Sequence, residues 1–170
     1  AAARADLIIS TGGVSVGEED HMREVIHQAG GRIHLMNVAM KPGKPVTLGE
    51  ISSSLYVGLP GNPVAAFVTF SLLVRPMISK LAGLAQSAPR QISAISAFER
   101  KRRPYRREYM PARVTKFNDD GVAVVEVLGR GSSAALLPIA KAEGLAIIEA
   151  GGGMVSKGDY ITYMPLACLT

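Results

Sequence analysis

Cysteine occurs once in the 170 residues, at Cys168, and tryptophan does not occur. A single thiol excludes an intramolecular disulfide framework and any zinc site built from cysteines, and it fits a reducing compartment. Histidine is scarce too. His21, His27 and His34 show no H-x-x-x-H spacing, so they read as core or surface residues rather than metal ligands. Five tyrosines and four phenylalanines give few anchors for a peptide groove. No apolar run reaches the roughly 18 residues of a membrane span. The start, Ala1 to Ala5 with one arginine, lacks the apolar run of a signal peptide. These absences lead to the expectation of a cytoplasmic protein with no membrane partner.

Apolar residues make up 48% of the chain and charged ones 19%, which supports a packed core and excludes wholesale disorder. Glycine, 18 of 170, is in excess, and its short runs without a G-X-Y period read as specific turns. The net charge of +5 is uneven. Residues 1–88 hold 7 bases and 6 acids, whereas residues 89–170 hold 12 and 8. Much of the excess is Arg100, Lys101, Arg102, Arg103, Arg106 and Arg107. Such a cluster can bind phosphates or nucleic acid, or form a solvated strand and turn. Only Tyr105 is available there for base stacking and no recognised motif accompanies it, so nucleic acid is not the expected partner.

The first half alternates strand and helix. A short apolar run over 6–11 ends in glycines, as a buried parallel strand does. Met22, Val25, Ile26 and Ala29 then recur at helical spacing, with Asp20 or a neighbouring acid as N-cap and Gly30-Gly31 as the stop. Residues 32–39, 46–49 and 55–58 read as strands. Lys41-Pro-Gly-Lys-Pro45 can be neither helix nor central strand. Asn62 as N-cap and Pro63 at the first helical position open an apolar helix over 64–81, which Pro76 should kink or split near Arg75. This is the pattern of a layered α/β domain. It occupies residues 1–83, with a linker at 84–90. Residues 91–170 change texture. Strands at 91–98, 108–117, 122–128, 144–149 and 160–164, a turn at Asn118-Asp-Asp-Gly121 and one helical turn at 132–137 suggest a small β-barrel or sandwich.

Four segments could carry chemistry. Thr11-Gly-Gly-Val-Ser-Val-Gly17 passes from strand to loop to helix, where glycines let the backbone approach an anion. Its spacing fits neither a Walker loop nor a dinucleotide fingerprint, so a phosphate cradle and an ordinary tight turn both stay open. Pro60-Gly-Asn-Pro63 makes the same passage, and two such loops in one open sheet favour a phosphate-bearing ligand. Lys41 and Lys44 are held on a proline-stiffened turn that suits an oxyanion or pyrophosphate, or they are incidental lysines of an exposed loop. Glu18, Glu19 and Asp20 could hold Mg²⁺ or simply favour a helix start.

Taken in order, Asp6-Leu-Ile-Ile-Ser-Thr-Gly-Gly-Val-Ser-Val-Gly-Glu-Glu-Asp20, Met40-Lys-Pro-Gly-Lys-Pro45 and Gly58-Leu-Pro-Gly-Asn-Pro-Val-Ala65 resemble the molybdopterin molybdenumtransferases, bacterial relatives of the gephyrin E domain. Arg106-Arg-Glu-Tyr109 resembles the family's G-R-x-E-F segment with Tyr105 in place of glycine, Gly131-Ser-Ser133 its G-S-x segment, and Lys157-Gly-Asp159 its last turn. The resemblance implies an incomplete molybdopterin-binding α/β domain followed by a small all-β, barrel-like domain. It also implies a C-terminal fragment, inactive by itself, since the chain starts after the family's T-G-D-E-L strand.

The implied activity is insertion of molybdenum from molybdate into adenylylated molybdopterin, with release of AMP and with Mg²⁺ as cofactor. By the same resemblance, Asp20 holds the metal, with Glu18 beside it, or acts near the site of molybdenum insertion, and Lys41 and Lys44 bind molybdate or phosphates. Thr11, Gly12, Gly13, Ser15 and Gly17, with Pro60, Gly61 and Asn62, cradle the pterin-side phosphate. Arg106 or Arg107, with Ser132, reaches into the site across a homodimer interface. The remaining bases of the cluster are expected to be a solvated face. Other enzymes of molybdenum cofactor biosynthesis are the implied partners. A molybdopterin adenylyltransferase, which shares the glycine loop but lacks such a β domain, and a gephyrin-like dimeric scaffold are the alternatives.

Overall fold

The computed structural model describes residues 4–12, 19–85, 89–129 and 135–168. Two compact units divide the chain: residues 1–38 with 43–86, and residues 39–42 with 87–170. The second unit thus takes the four residues Ala39–Pro42, the last two of which open the K-P-G-K-P segment.

The first unit is a four-stranded sheet in the order β1-β5-β4-β2. Strand β1 (Leu7–Thr11) lies parallel to β5 (Ser54–Leu59), with Thr11 opposite Leu59. Strand β4 (Thr47–Ile51) forms a hairpin with β5, and β2 (Gly31–Met36) pairs antiparallel with β4. The hairpin turns at Ser52, which takes a positive φ of 56°. Helix α1 (Glu19–Gln28) connects β1 to β2 and buries Ile26. Asp20 is the second residue of that helix, and Glu18, the neighbouring acid at the cap position, lies outside the described residues.

After β5 the chain enters α2 (Pro63–Thr69), a π-helical turn (Phe70–Val74) and α3 (Arg75–Leu81). The expected split at Pro76 is therefore a change of helical pitch. Proline lacks an N–H and its ring would meet the carbonyl one turn back, and the widened turn precedes that position. Pro63–Leu81 is 19 residues of mean hydropathy 1.5, long and apolar enough by length and composition to cross a membrane, contrary to the expectation from the sequence. Val64, Ala65, Val68, Thr69, Ser71 and Val74 are buried within the unit, and none of α3 is. Val74 joins Val46, Val57 and Leu59 in the core between helix and sheet.

The second unit is a closed barrel. Strands β6 (Ile92–Ser96), β8 (Arg107–Phe117), β9 (Ala123–Val127), β10 (Gly144–Ile148) and β12 (Tyr160–Pro165) pair in the order β10-β12-β6-β9-β8, and β8 closes the ring on β10. A five-stranded barrel leaves little interior. Ala94, Ala112, Ala123 and Ala146 accordingly point into its core beside Met110, Val125, Ile148 and Tyr163. The β8–β9 turn is tied by Asn118, whose Oδ1 accepts from the Val122 N–H at 2.7 Å. A two-stranded ribbon pairs β7 (Arg100–Lys101) with β11 (Met154–Val155). The short helix α4 spans Leu136–Ala140, later than the expected turn at 132–137, of which residues 132–134 lie outside the described ones. Pro138 within it rules out only an interior ladder bond, which one turn does not need.

Strand β3 (Met40–Lys41) belongs to this second unit, where it pairs in parallel with β8. Glu108 pairs with Ile148 of β10 and with Lys41 of β3, so the two strands occupy opposite edges of β8. Lys41-Pro-Gly-Lys-Pro45 thus contributes an edge strand, in keeping with its prolines.

Candidate functional site

In the first unit the two glycine-bearing loops leave neighbouring parallel strands at their carboxyl ends. Thr11 ends β1, and Gly12 follows with φ +83°, its N–H donating to the Leu59 carbonyl at 3.0 Å. That left-handed backbone is open to glycine and costly for a side chain. Pro60, Gly61 and Asn62 follow β5 directly, and Asn62 is the N-cap of α2, with its side chain not bonded to the helix. A Cβ placed on Gly61 would lie 3.4 Å from the Gly12 Cα. The structure therefore brings Thr11, Gly12, Pro60, Gly61 and Asn62 together, with glycine at the two points of closest approach and a helix start beside them. Gly13, Ser15, Gly17 and Glu18 lie outside the described residues, as does the Asp20 side chain. Among the described residues no group of three acids, histidines or cysteines is placed to hold a metal.

The two lysines fall in different units. Lys44 is exposed in the first, where its carbonyl accepts from the Val38 N–H at 2.9 Å. Lys41 is in the second, and its ammonium lies 3.0 Å from Oε1 of Glu108.

Glu108 was not among the expected site residues. Its side chain is 2% exposed, and Arg100 grips it from both nitrogens, Nε to Oε2 at 2.9 Å and Nη2 to Oε1 at 3.1 Å. Arg103 Nε adds a contact to Oε1 at 3.1 Å. Burial pushes the Glu108 carboxyl up, but hydrogen bonds from Arg100 and Lys41, reinforced by their charges, outweigh it and hold the group at about 2. The signal in the sequence was an acid directly following six bases in eight residues.

The basic cluster is in part the solvated face that was expected, with Lys101, Arg103 and Arg107 exposed, but three of its arginines are also engaged with acids. Arg100 and Arg103 are committed to Glu108, and Arg107 Nε donates to Glu149 at 2.8 Å. The physical reason is local: β8 alternates its side chains, and the acid at 108 turns inward where the bases of the preceding turn can converge. Arg106 makes no ion pair with a described residue. Ser132 lies outside the described residues.

Two family models match the chain. One, described as a probable molybdopterin binding domain, covers residues 1–80, and the other, the MoeA C-terminal region (domain IV), covers residues 93–166. A molybdopterin molybdenumtransferase of Haemophilus influenzae is 36% identical over 166 residues, which is 97% of this chain and 41% of that protein. One from Nostoc is 33% identical over 98% of this chain and 39% of its own length. The molybdopterin biosynthesis MoeA protein from Pyrococcus horikosii superposes with a TM-score of 0.73 at 23% identity, over 96% of this chain and 38% of its own. The chain spans about two-fifths of the length of the curated relatives it matches.

Proposed function

The chain belongs to the molybdopterin molybdenumtransferase family, and from that premise we propose that it supplies part of an enzyme inserting molybdenum from molybdate into adenylylated molybdopterin, with release of AMP. The substrate carries a pyrophosphate bridge and the metal arrives as an oxyanion, so both demand N–H donors and positive charge. Water cleaves the P–O–P bridge, AMP departs with one phosphate and the pterin keeps the other. The two dithiolene sulfurs take the metal as molybdate gives up oxygen as water.

The observation that carries this reading is the convergence of Gly12 and Gly61 at the carboxyl ends of β1 and β5. Thr11, Gly12, Gly13, Ser15 and Gly17 with Pro60, Gly61 and Asn62 are the cradle for the pterin-side phosphate. Lys41 and Lys44 are the cationic ligands of molybdate or the phosphates. Mg²⁺ needs only one or two carboxylates beside water and substrate phosphates, so Glu18 and Asp20 form a sufficient donor set; the ion would neutralise phosphate charge there. Of the two adjacent arginines, Arg106 is assigned as the anion ligand, since Arg107 is held by Glu149, and Ser132 acts with it. A homodimer in the cytoplasm, working beside other enzymes of cofactor biosynthesis, is the setting in which we place it. The match of residues 93–166 to the MoeA C-terminal region favours this reading over an adenylyltransferase without such a domain.

The test is Lys44→Ala in the full-length protein. Loss of one charge-assisted contact predicts a fall in molybdenum insertion of about tenfold or more with an unchanged melting curve. Near-normal cofactor yield would remove Lys44 from the site.

A further inference from the structure

Lys41 and Glu108 are tied twice. Their backbones are partners in the β3–β8 pairing, flanked by a bond from the Arg107 N–H to the Ala39 carbonyl at 3.1 Å. Their side chains form the 3.0 Å ion pair. The carboxylate is itself immobile, because the bidentate grip of Arg100 fixes its plane. Lys41 is therefore held at a point set by other residues, where a lysine on an exposed loop would range over many rotamers.

The pairing does not close the charge. Arg100, Arg103 and Lys41 share a single carboxylate, which leaves the group with a formal excess of two positive charges. An ammonium has three N–H donors, and the Lys41 side chain remains 29% exposed, so donors are left for a second acceptor on the solvent side. A buried carboxylate that merely balanced its neighbours would need one cation rather than three.

We propose that Glu108 is a positioning residue for oxyanion binding: anchored by Arg100, it presents the Lys41 ammonium to molybdate. The inference rests on the assignment of Lys41 as an anion ligand. Glu108 does not touch the anion and acts only through Lys41.

The test is calorimetric titration of inorganic molybdate into the full-length protein as wild type, Glu108→Gln, Lys41→Met and the double variant. The expected result is binding weakened about tenfold by either single change, with the double variant within twofold of Lys41→Met. An equal further loss from Glu108→Gln in the Lys41→Met background would make its role generally structural and overturn the proposal, as would unchanged binding in Glu108→Gln. Unchanged binding in Lys41→Met would overturn it as well, by removing the residue to be positioned. Should Glu108→Gln not fold, Glu108→Asp serves instead. It keeps the charge but shortens the reach, and weakened binding that vanishes as an effect in the Lys41→Met background is again required. Molybdate-dependent AMP release by the wild type is measured separately, and its absence would count against the enzymatic reading, not against the Lys41–Glu108 coupling.

Discussion

Among the described residues the first unit holds one histidine–carboxylate contact, His34–Glu50 at 3.5 Å with both side chains about half exposed, whereas the second holds five ion pairs, three of them on the buried Glu108. The first unit instead offers two glycine-bearing loops at the ends of parallel strands, set so that a Cβ added to Gly61 would meet the Gly12 Cα at 3.4 Å. On the proposed reading, one region would meet an anion with backbone N–H groups and the other with cations gathered on a buried carboxylate. The two should fail differently. A backbone cradle is lost only by filling or straining it, and a charge cluster is lost by removing one member.

The largest effect is expected from Glu108→Ala, which leaves three cations converging on nothing. Breaking a buried ion pair from one side costs about 3–5 kcal/mol, and urea unfolding of the second unit would read it. The same contribution has a pH signature. Because the folded state holds Glu108 at about 2, below its ordinary value, its stabilisation is complete above the ordinary value and fades as pH falls toward 2. Glu108→Gln should flatten unfolding free energy across that acid window, and an unchanged acid slope would mean the carboxylate is not the titrating group.

The matching disruption in the first unit is Gly12→Val. It forces a β-branched residue to φ +83° at a cost on the order of 1–2 kcal/mol. It should also abolish binding of adenylylated molybdopterin while inorganic molybdate still binds, which would separate the cradle from the cations. The smallest change is Tyr163→Phe. The Tyr163 hydroxyl is buried with no partner among the described residues, and burial, followed by the charge of Glu143, pushes its pKa up to about 12. Deleting an unpartnered hydroxyl should be neutral or stabilising by about 1 kcal/mol in thermal unfolding. A clear loss would reveal a partner.

Much of this fold could be read along the chain because its signals are local. Asn62-Pro63 does begin a helix, Asn118-Asp-Asp-Gly121 does turn a hairpin, and five of the expected strands form the barrel. What stayed hidden depends on residues far apart. Nothing near Lys41 indicates that it pairs with Glu108, 67 positions on, because periodicity reports which face is buried and not which strand lies alongside. The same limit concealed Glu108: six neighbouring bases looked solvated until β8 turned the acid inward. The apolar helix expected over 64–81 forms over Pro63–Leu81, and Arg75 and Lys80 lie within it without ending it. The glycine loops were legible as a pair since each follows a strand and precedes a helix, but only the parallel register of β1 and β5 sets them side by side.

The most direct test of the account is molybdate-dependent release of AMP from adenylylated molybdopterin by the purified full-length protein, with the pterin product analysed for bound molybdenum. The account predicts AMP release that requires molybdate and yields molybdenum-loaded cofactor in equal amount. AMP release independent of molybdate, or no molybdenum on the product, would contradict it.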